Sequence, residues 1–165
     1  HMERELARAR LRHGRSQVRT PLKPVVDGIF RALKRTPAGE ELELQNTIGT
    51  SVTVPVDPDD LNELIGNLAE NAVRFARSRV VVDTESTPGG VVIRIGDDGP
   101  GLDPAGMASA IKANQRLDQS GLGAGLGLAI SGDIVDSFGG QLELVVSSLG
   151  GLEARITIPL TAPPG

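Results

Sequence analysis

The segment Asp97-Asp98-Gly99-Pro100-Gly101 ends an apolar run at residues 91–95 and decides how the rest of the chain is interpreted. Because side chains alternate along a strand, Asp97 is expected to share the buried face of that run. A carboxylate only accepts hydrogen bonds, so Asp97 suits the exocyclic amine of adenine and would repel the carbonyl of guanine. A strand-end aspartate that caps a turn is the alternative. Gly99 and Gly101 lack a Cβ and let a flat base lie against the backbone, although turn formation alone also explains them.

A second glycine cluster, Gly121-Leu122-Gly123-Ala124-Gly125-Leu126-Gly127-Leu128, leads into a predicted helix at residues 124–138 that ends at Gly139-Gly140. Backbone amides and a helix N-terminus in this position can hold anionic phosphates. The cluster is not a Walker loop, because no Gly-Lys-Ser/Thr follows, and it lacks the context of a Rossmann fingerprint. A flexible linker is the alternative, but the apolar residues that follow favour a helix.

Residues 57–75 predict a helix with an aspartate cap and an acidic first turn. Its apolar face comprises Leu61, Leu64, Ile65, Leu68, Ala72 and Phe75, and its polar face comprises Glu63, Asn67, Glu70, Asn71 and Arg74. Two asparagines one turn apart are unfavourable in a helix and suggest a function. An amide oxygen is a hard ligand suited to magnesium, Arg74 is a candidate phosphate donor, and Glu70 is a candidate base. A solvated polar face is the alternative.

The remaining pattern predicts an α+β two-layer sandwich. Further helices are expected at residues 3–13 and 24–33, with a linker through Thr20-Pro21 between them. Strands are expected at 41–48, 52–54, 80–82, 91–95, 141–147 and 152–159. Residues 103–120 are expected to form a mobile loop, in which Arg116 is a candidate for closing on the phosphates.

Composition limits the possible functions. The 165 residues suffice for one domain, and the absence of cysteine excludes disulfides and thiolate metal sites. No apolar stretch approaches the ~20 residues that span a bilayer. Residues 1–36 hold ten of the seventeen Lys and Arg residues, so a nucleic-acid binder is one hypothesis. We disfavour it, because this arm lacks interleaved aromatic residues and its arginines recur at helical spacing.

Taken together, three motifs resemble the ATP-binding catalytic domain of sensor histidine kinases, within the gyrase–Hsp90–histidine kinase–MutL superfamily. They are an asparagine box, Asn67-Leu68-Ala69-Glu70-Asn71-Ala72-Val73-Arg74, and the two glycine segments 97–101 and 123–130. The pairs Gly139-Gly140 and Ile158-Pro159 also match the family's ending, and Arg116-Leu117-Asp118 resembles the lid of a PhoQ-like subgroup. The resemblance covers roughly residues 40–160.

The resemblance implies a Bergerat-type sandwich in which a mixed sheet of about five strands packs on three helices. It implies ATP and Mg²⁺ as cofactors, with Asn71 as the magnesium ligand, Glu70 and Asn71 as catalytic residues, and Asp97 as the adenine anchor. The implied nucleotide-binding residues are Asn67, Asn71, Arg74, Asp97, Gly99, Gly101, Arg116, Gly121, Gly123, Gly125, Leu126, Gly127 and Leu128. The implied reaction is transfer of the γ-phosphoryl group of ATP to a histidine.

The phosphoacceptor histidine of the family is not found in this sequence. Ser16-Gln17-Val18-Arg19-Thr20-Pro21 has the end of the family's acceptor pattern with serine in the place of histidine, and His13 lacks the acidic neighbour. We therefore expect a fragment: the end of a dimerisation helix and a linker at 1–20, the catalytic domain at 21–160, and a disordered tail at 161–165. The expected partners are its own dimerisation domain and a response regulator, and not nucleic acid. The fragment is expected to be a monomer, and the intact protein a homodimer with this domain in the cytoplasm beneath a bacterial inner membrane.

Residues 102–120 contain no phenylalanine, whereas the family has a phenylalanine-bearing segment there. A nucleotide-binding module that no longer transfers phosphate therefore remains an alternative. An anti-sigma-type serine kinase is a further alternative in the same fold. An ATPase of the gyrase or MutL kind would normally continue into a transducer domain.

Overall fold

The structure of the chain is a computed structural model that describes residues 18–101 and 123–160. This part contains three helices: α1 (Leu22–Lys34), α2 (Pro58–Phe75) and α3 (Gly123–Ser137). The α2 helix begins as its sequence predicts, because the Asp57 side chain accepts a 2.9 Å hydrogen bond from the amide of Asp59. None of the described helices is long and apolar enough to cross a membrane.

The main sheet has five strands, β2 (Glu43–Asn46), β4 (Arg79–Thr87), β5 (Gly90–Asp97), β6 (Gln141–Val146) and β7 (Leu152–Pro159). Their order across the sheet is β2-β4-β5-β7-β6. The β2 and β4 strands are parallel and the other neighbours are antiparallel, so the mixed five-stranded sheet packed on three helices is confirmed. Side chains alternate along β5, where Val91, Ile93 and Ile95 are buried beneath the helices.

The first described residues pair with the domain instead of forming a free linker. Thr20–Pro21 is a two-residue strand, β1, which pairs antiparallel with β3 (Thr53–Val54). Thr20 is buried, and its hydroxyl donates a 2.5 Å hydrogen bond to the carbonyl of Val56. The interpretation of Thr20-Pro21 as linker is therefore wrong. A local pattern of two residues cannot show a strand that forms only against a partner more than thirty residues away.

One side chain of the predicted α2 core face is not in the core. Leu61, Leu64, Ile65, Leu68 and Ala72 are buried as expected, but Phe75 is 51% exposed. Phe75 is the last residue of α2, and the backbone becomes extended at Ala76. Helical periodicity gives the direction of a side chain around the helix axis, but it does not show where the packed surface beneath the helix ends.

Candidate nucleotide site

Asp97 lies at the end of β5, in the middle of the sheet, and is 3% exposed. Its Oδ1 accepts hydrogen bonds from the amides of Gly99 at 2.8 Å and Leu152 at 3.3 Å. Within the described residues Oδ2 has no hydrogen-bond partner, so one oxygen remains for a ligand. Burial raises the pKa of Asp97 above its ordinary value, although the two amide hydrogen bonds oppose the shift. A buried carboxylate with a free oxygen is a chemically selective acceptor for an N–H donor.

Glycines let three chain segments meet around Asp97. A Cβ on Gly99 would lie 2.2 Å from the carbonyl oxygen of Phe75, at the end of α2. A Cβ on Gly151, in the turn between β6 and β7, would lie 2.2 Å from Asp97 Oδ1. Gly101 has a φ of +67°, in the left-handed region that favours glycine. The end of β5, the end of α2 and the β6–β7 turn therefore approach closely enough to exclude any side chain at Gly99 and Gly151.

Asp98 ties the same loop to the start of β4. Its Oδ1 accepts hydrogen bonds from the amides of Arg77, Ser78 and Arg79 at 2.9, 3.0 and 3.1 Å, and its Oδ2 accepts one from the Ser78 hydroxyl. Burial acts to raise the pKa of Asp98, but these hydrogen bonds outweigh it and hold the pKa well below its ordinary value. Asp98 thus stabilises the junction between the asparagine-bearing helix and the Asp97 loop.

The polar residues of α2 differ in their exposure. Glu70 and Arg74 are exposed, whereas Asn67 and Asn71 are half-buried. The Nδ2 atom of Asn67 is a buried donor that has no partner within the described residues. A buried donor without a hydrogen-bond partner destabilises the fold, and an acceptor on a bound ligand would supply the missing partner. Of this polar face, Asn67 therefore carries the clearest structural sign of a ligand.

The second glycine cluster enters α3 as predicted. Gly123, Gly125 and Gly127 lie in the first turns of this helix, which begins at Gly123, and Leu128 is half-buried within it. The first amides of any helix have no partner inside the helix and can bind an anion. The α3 helix packs against α2, so the glycine-bearing and asparagine-bearing helices are neighbours. Arg116 and Gly121 lie outside the described residues, as do the predicted helix at 3–13, the loop at 103–120 and the tail at 161–165.

The donor set fits a magnesium ion that is held mainly by a nucleotide. In residues 18–101 and 123–160, no three His, Asp or Glu side chains come together to hold a metal ion. Asn71 offers a neutral amide oxygen, and the unpartnered amide of Asn67 lies one turn before it on α2. Magnesium usually binds through few protein groups together with waters and substrate phosphates. The residues present therefore suit Mg²⁺ when nucleotide phosphates complete its coordination.

Sequence reasoning missed two parts of this site. Local patterns assign no site role to Gly151, although it packs on Asp97, or to Asp98, although it makes four hydrogen bonds. The partners of Asp98 lie 19 to 21 residues away, and Leu152 lies 55 residues from Asp97. No spacing rule connects residues so far apart. The adjacent pair Asp97-Asp98 at a strand end was the only available signal.

The comparisons with known proteins agree with this geometry. Residues 56–162 match the family described as histidine kinase-, DNA gyrase B- and HSP90-like ATPase. The two-component sensor PhoQ of Pseudomonas aeruginosa is 39% identical over 153 residues, which cover 92% of this chain and 34% of that protein. This chain thus spans about a third of the length of that relative.

Two solved structures share the fold. A mycobacterial sensor histidine kinase, MprB, aligns with a TM-score of 0.73 and 25% identity, and the alignment covers 88% of this chain and 99% of that one. Full-length ShkA in complex with AMPPNP aligns with a TM-score of 0.69 and 24% identity, over 99% of this chain and 36% of that one. With the family match extending over more than half of its residues, the chain belongs to the histidine kinase-, DNA gyrase B- and HSP90-like ATPases.

Proposed function

We propose that this domain binds Mg-ATP and transfers its γ-phosphoryl group to a histidine on the dimerisation domain of the intact protein. The observation that carries the proposal is Asp97, a buried carboxylate whose Oδ1 is held by two amides while Oδ2 has no partner among the described residues. Oδ2 would accept the exocyclic N–H of adenine. The AMPPNP bound to ShkA, an ATP analogue on the same fold, supports a nucleotide as the ligand.

The phosphates would lie between α2 and the start of α3. In this position Asn67 would donate its unpartnered amide to a phosphate oxygen, and the first amides of α3 at Gly123 and Gly125 would do the same. Gly99 and Gly101 would lie against the base, and Gly127, Leu126 and Leu128 would continue the phosphate-binding segment. Arg74, Arg116 and Gly121 remain proposed contacts of the phosphates.

Transfer requires an imidazole nitrogen of the acceptor histidine to attack the γ-phosphorus. The bond from that phosphorus to the β–γ bridging oxygen then breaks, and ADP leaves. Glu70, exposed on α2 next to Asn71, would orient the imidazole and accept its proton. Asn71 would hold Mg²⁺, which when bound neutralises charge on the phosphates. The contribution of the protein is therefore mainly to position the two reactants.

The partners follow from the same proposal. The relatives are named as sensor kinases and a two-component sensor, which supports a dimerisation domain and a response regulator as partners. We propose a cytoplasmic position for this domain in a homodimeric membrane sensor. The serine-kinase alternative is not favoured, because the curated relatives are histidine kinases and sensors.

Calorimetry with ATP and GTP, each with and without Mg²⁺, tests the site directly. The wild-type chain should bind ATP more tightly than GTP, and Mg²⁺ should strengthen binding. Asp97→Asn should lower ATP affinity by roughly tenfold to a hundredfold, the range for a hydrogen bond to a charged group. Asp136→Asn is the matched control, since Asp136 is exposed at the other end of α3. Equal affinity for ATP and GTP would contradict the role of Asp97.

A second assay tests the transfer step separately. Labelled ATP, this domain and a separately supplied dimerisation domain that carries the acceptor histidine should yield acid-labile phosphohistidine. ATP binding without any transfer would instead favour the non-catalytic nucleotide-binding module.

A further inference from the structure

A cleft of about 450 Å³ lies between α1 and the edge strand β2. The β4 strand separates it from β5 and from Asp97, so it is not part of the nucleotide site. Phe30 and Leu44 provide the apolar part of its lining, and Arg31, Lys34 and Arg35 line its α1 side. Its volume is in the range of ligand-binding clefts, and it has an apolar surface beside several charged groups.

The backbone of β2 explains why this edge is only partly closed. The β2 strand pairs in parallel with β4, where the amide of Glu43 donates to Ser78 and that of Thr47 donates to Val82. In a parallel strand the intervening residues direct their N–H and C=O groups to the opposite side. Leu44 therefore presents its N–H and C=O groups to the open edge. Within the described residues these two groups have no hydrogen-bond partner.

Lysines of α1 cover the edge on both sides of Leu44. Lys34 donates a hydrogen bond to the carbonyl of Leu42, and Lys23 donates one of 3.5 Å to the carbonyl of Asn46. Lysines on edge strands are a common protection against pairing with other chains. Here the lysines bind carbonyls two positions before and two positions after Leu44, and the cleft lies in the gap between them.

The charge of the cleft is strongly positive within a chain of net charge −4. Asp27 is the carboxylate in its lining, and it accepts a 2.8 Å hydrogen bond from the Asn46 side chain. Arg31 and Arg35 are exposed, one turn apart, and form no ion pair with a described carboxylate. Basic residues in the last turn of a helix suit its dipole. The dipole does not account for the cleft or for the unpaired strand edge beside these arginines.

We propose that this cleft is a docking site for an extended acidic segment of a partner protein. The segment would pair its backbone with the N–H and C=O groups of Leu44 and add a short strand to the sheet. Because side chains alternate along a strand, carboxylates on every second residue would face α1 and contact Arg31 and Arg35. The basic residues 1–17 of this chain have the wrong charge to be the occupant. The proposal does not depend on nucleotide binding.

Fluorescence anisotropy with a labelled peptide of alternating glutamate and valine tests the proposal on the full 165-residue chain. Saturable binding is expected for this probe and not for the matched lysine–valine peptide. The double variant Arg31→Glu/Arg35→Glu should weaken binding at least about tenfold, the loss of one to two charge contacts. Arg19→Glu, which reverses an exposed arginine outside the cleft, should leave it unchanged.

Two further measurements decide between occupants. A peptide of the same sequence with methylated backbone amides should lose binding if the strand edge is used, and retained binding would overturn strand addition. If citrate displaces the labelled peptide as effectively as unlabelled peptide does, the proposal of a peptide ligand is overturned and the cleft binds a small organic anion. Circular dichroism should show the double variant folded, because both arginines are exposed.

Discussion

Replacement of Asp98 by alanine is the sharpest test of how the site is held together. The substitution removes an acceptor for three consecutive amides and one hydroxyl, all at the α2–β4 junction. A hydrogen bond to a charged group contributes about 1.5–3 kcal/mol when buried. These donors lie near the surface and can donate to water when Asp98 is absent, so each hydrogen bond contributes much less than this to the free energy of unfolding. The expected loss is about 2–3 kcal/mol of unfolding free energy in total, comparable to the loss of one or two helix caps.

Urea unfolding followed by far-ultraviolet circular dichroism measures this loss, since the chain has no tryptophan or tyrosine. With a typical slope of ~2 kcal/mol per molar urea, the midpoint should fall by about 1–1.5 M. Asp98→Asn should lose less, because an amide oxygen still accepts from the backbone. Asp136→Ala is the control, as this exposed carboxylate at the end of α3 should contribute little.

The pH dependence gives an independent check with a defined sign. The folded-state pKa of Asp98 is lowered, so its stabilisation is complete above the unfolded value near ~4 and is lost as pH falls below it. The difference between wild type and Asp98→Asn should therefore be constant at neutral pH and shrink below about pH 4. A loss under about 0.5 kcal/mol in Asp98→Ala, or a difference unchanged by acid, would refute the role given to this carboxylate.

Three further variants test the surroundings of the site. Burial raises the pKa of Asp97, so its ionised side chain destabilises the fold at neutral pH, and Asp97→Asn should stabilise the nucleotide-free domain there. Because acid protonates Asp97 in the wild type, the gain in unfolding free energy should shrink as pH falls. Urea titrations at several pH values measure this. Asn67→Leu removes an unpartnered buried donor, so stability without nucleotide should hold or rise by about 1 kcal/mol while calorimetry shows ATP affinity at least tenfold lower. A loss of both stability and affinity would contradict that account. Gly99→Ala would place a Cβ 2.2 Å from the Phe75 carbonyl and should cost more than about 2 kcal/mol in thermal unfolding. Its control, Gly66→Ala inside α2, meets no atom within 4 Å and should stabilise by about 0.5–1 kcal/mol.

Much of the architecture can be predicted from local sequence patterns. The alternation of residues 91–95 predicted that Asp97 is buried, and helical periodicity predicted α1, α2 and the α3 helix that follows the glycines. These predictions succeeded because periods of two and about 3.6 residues are intrinsic to the backbone and depend only on neighbouring positions. The same local reasoning placed the asparagine motif on α2 and the glycine motif at the start of α3, since both helices follow directly from their sequences.

Tertiary structure alone decided which groups meet. The sequence could not show that Asp98 binds residues 77–79, that Gly151 packs on Asp97, or that Phe75 ends α2 outside the core. Nor could it show that lysines of α1 cover β2 on both sides of Leu44. Each of these contacts joins residues that are distant along the chain or depends on where a packed surface stops. The sequence by itself therefore determined the elements and the chemical groups of the nucleotide site, whereas the packing of separate segments decided their distances, their burial and their free hydrogen-bonding groups.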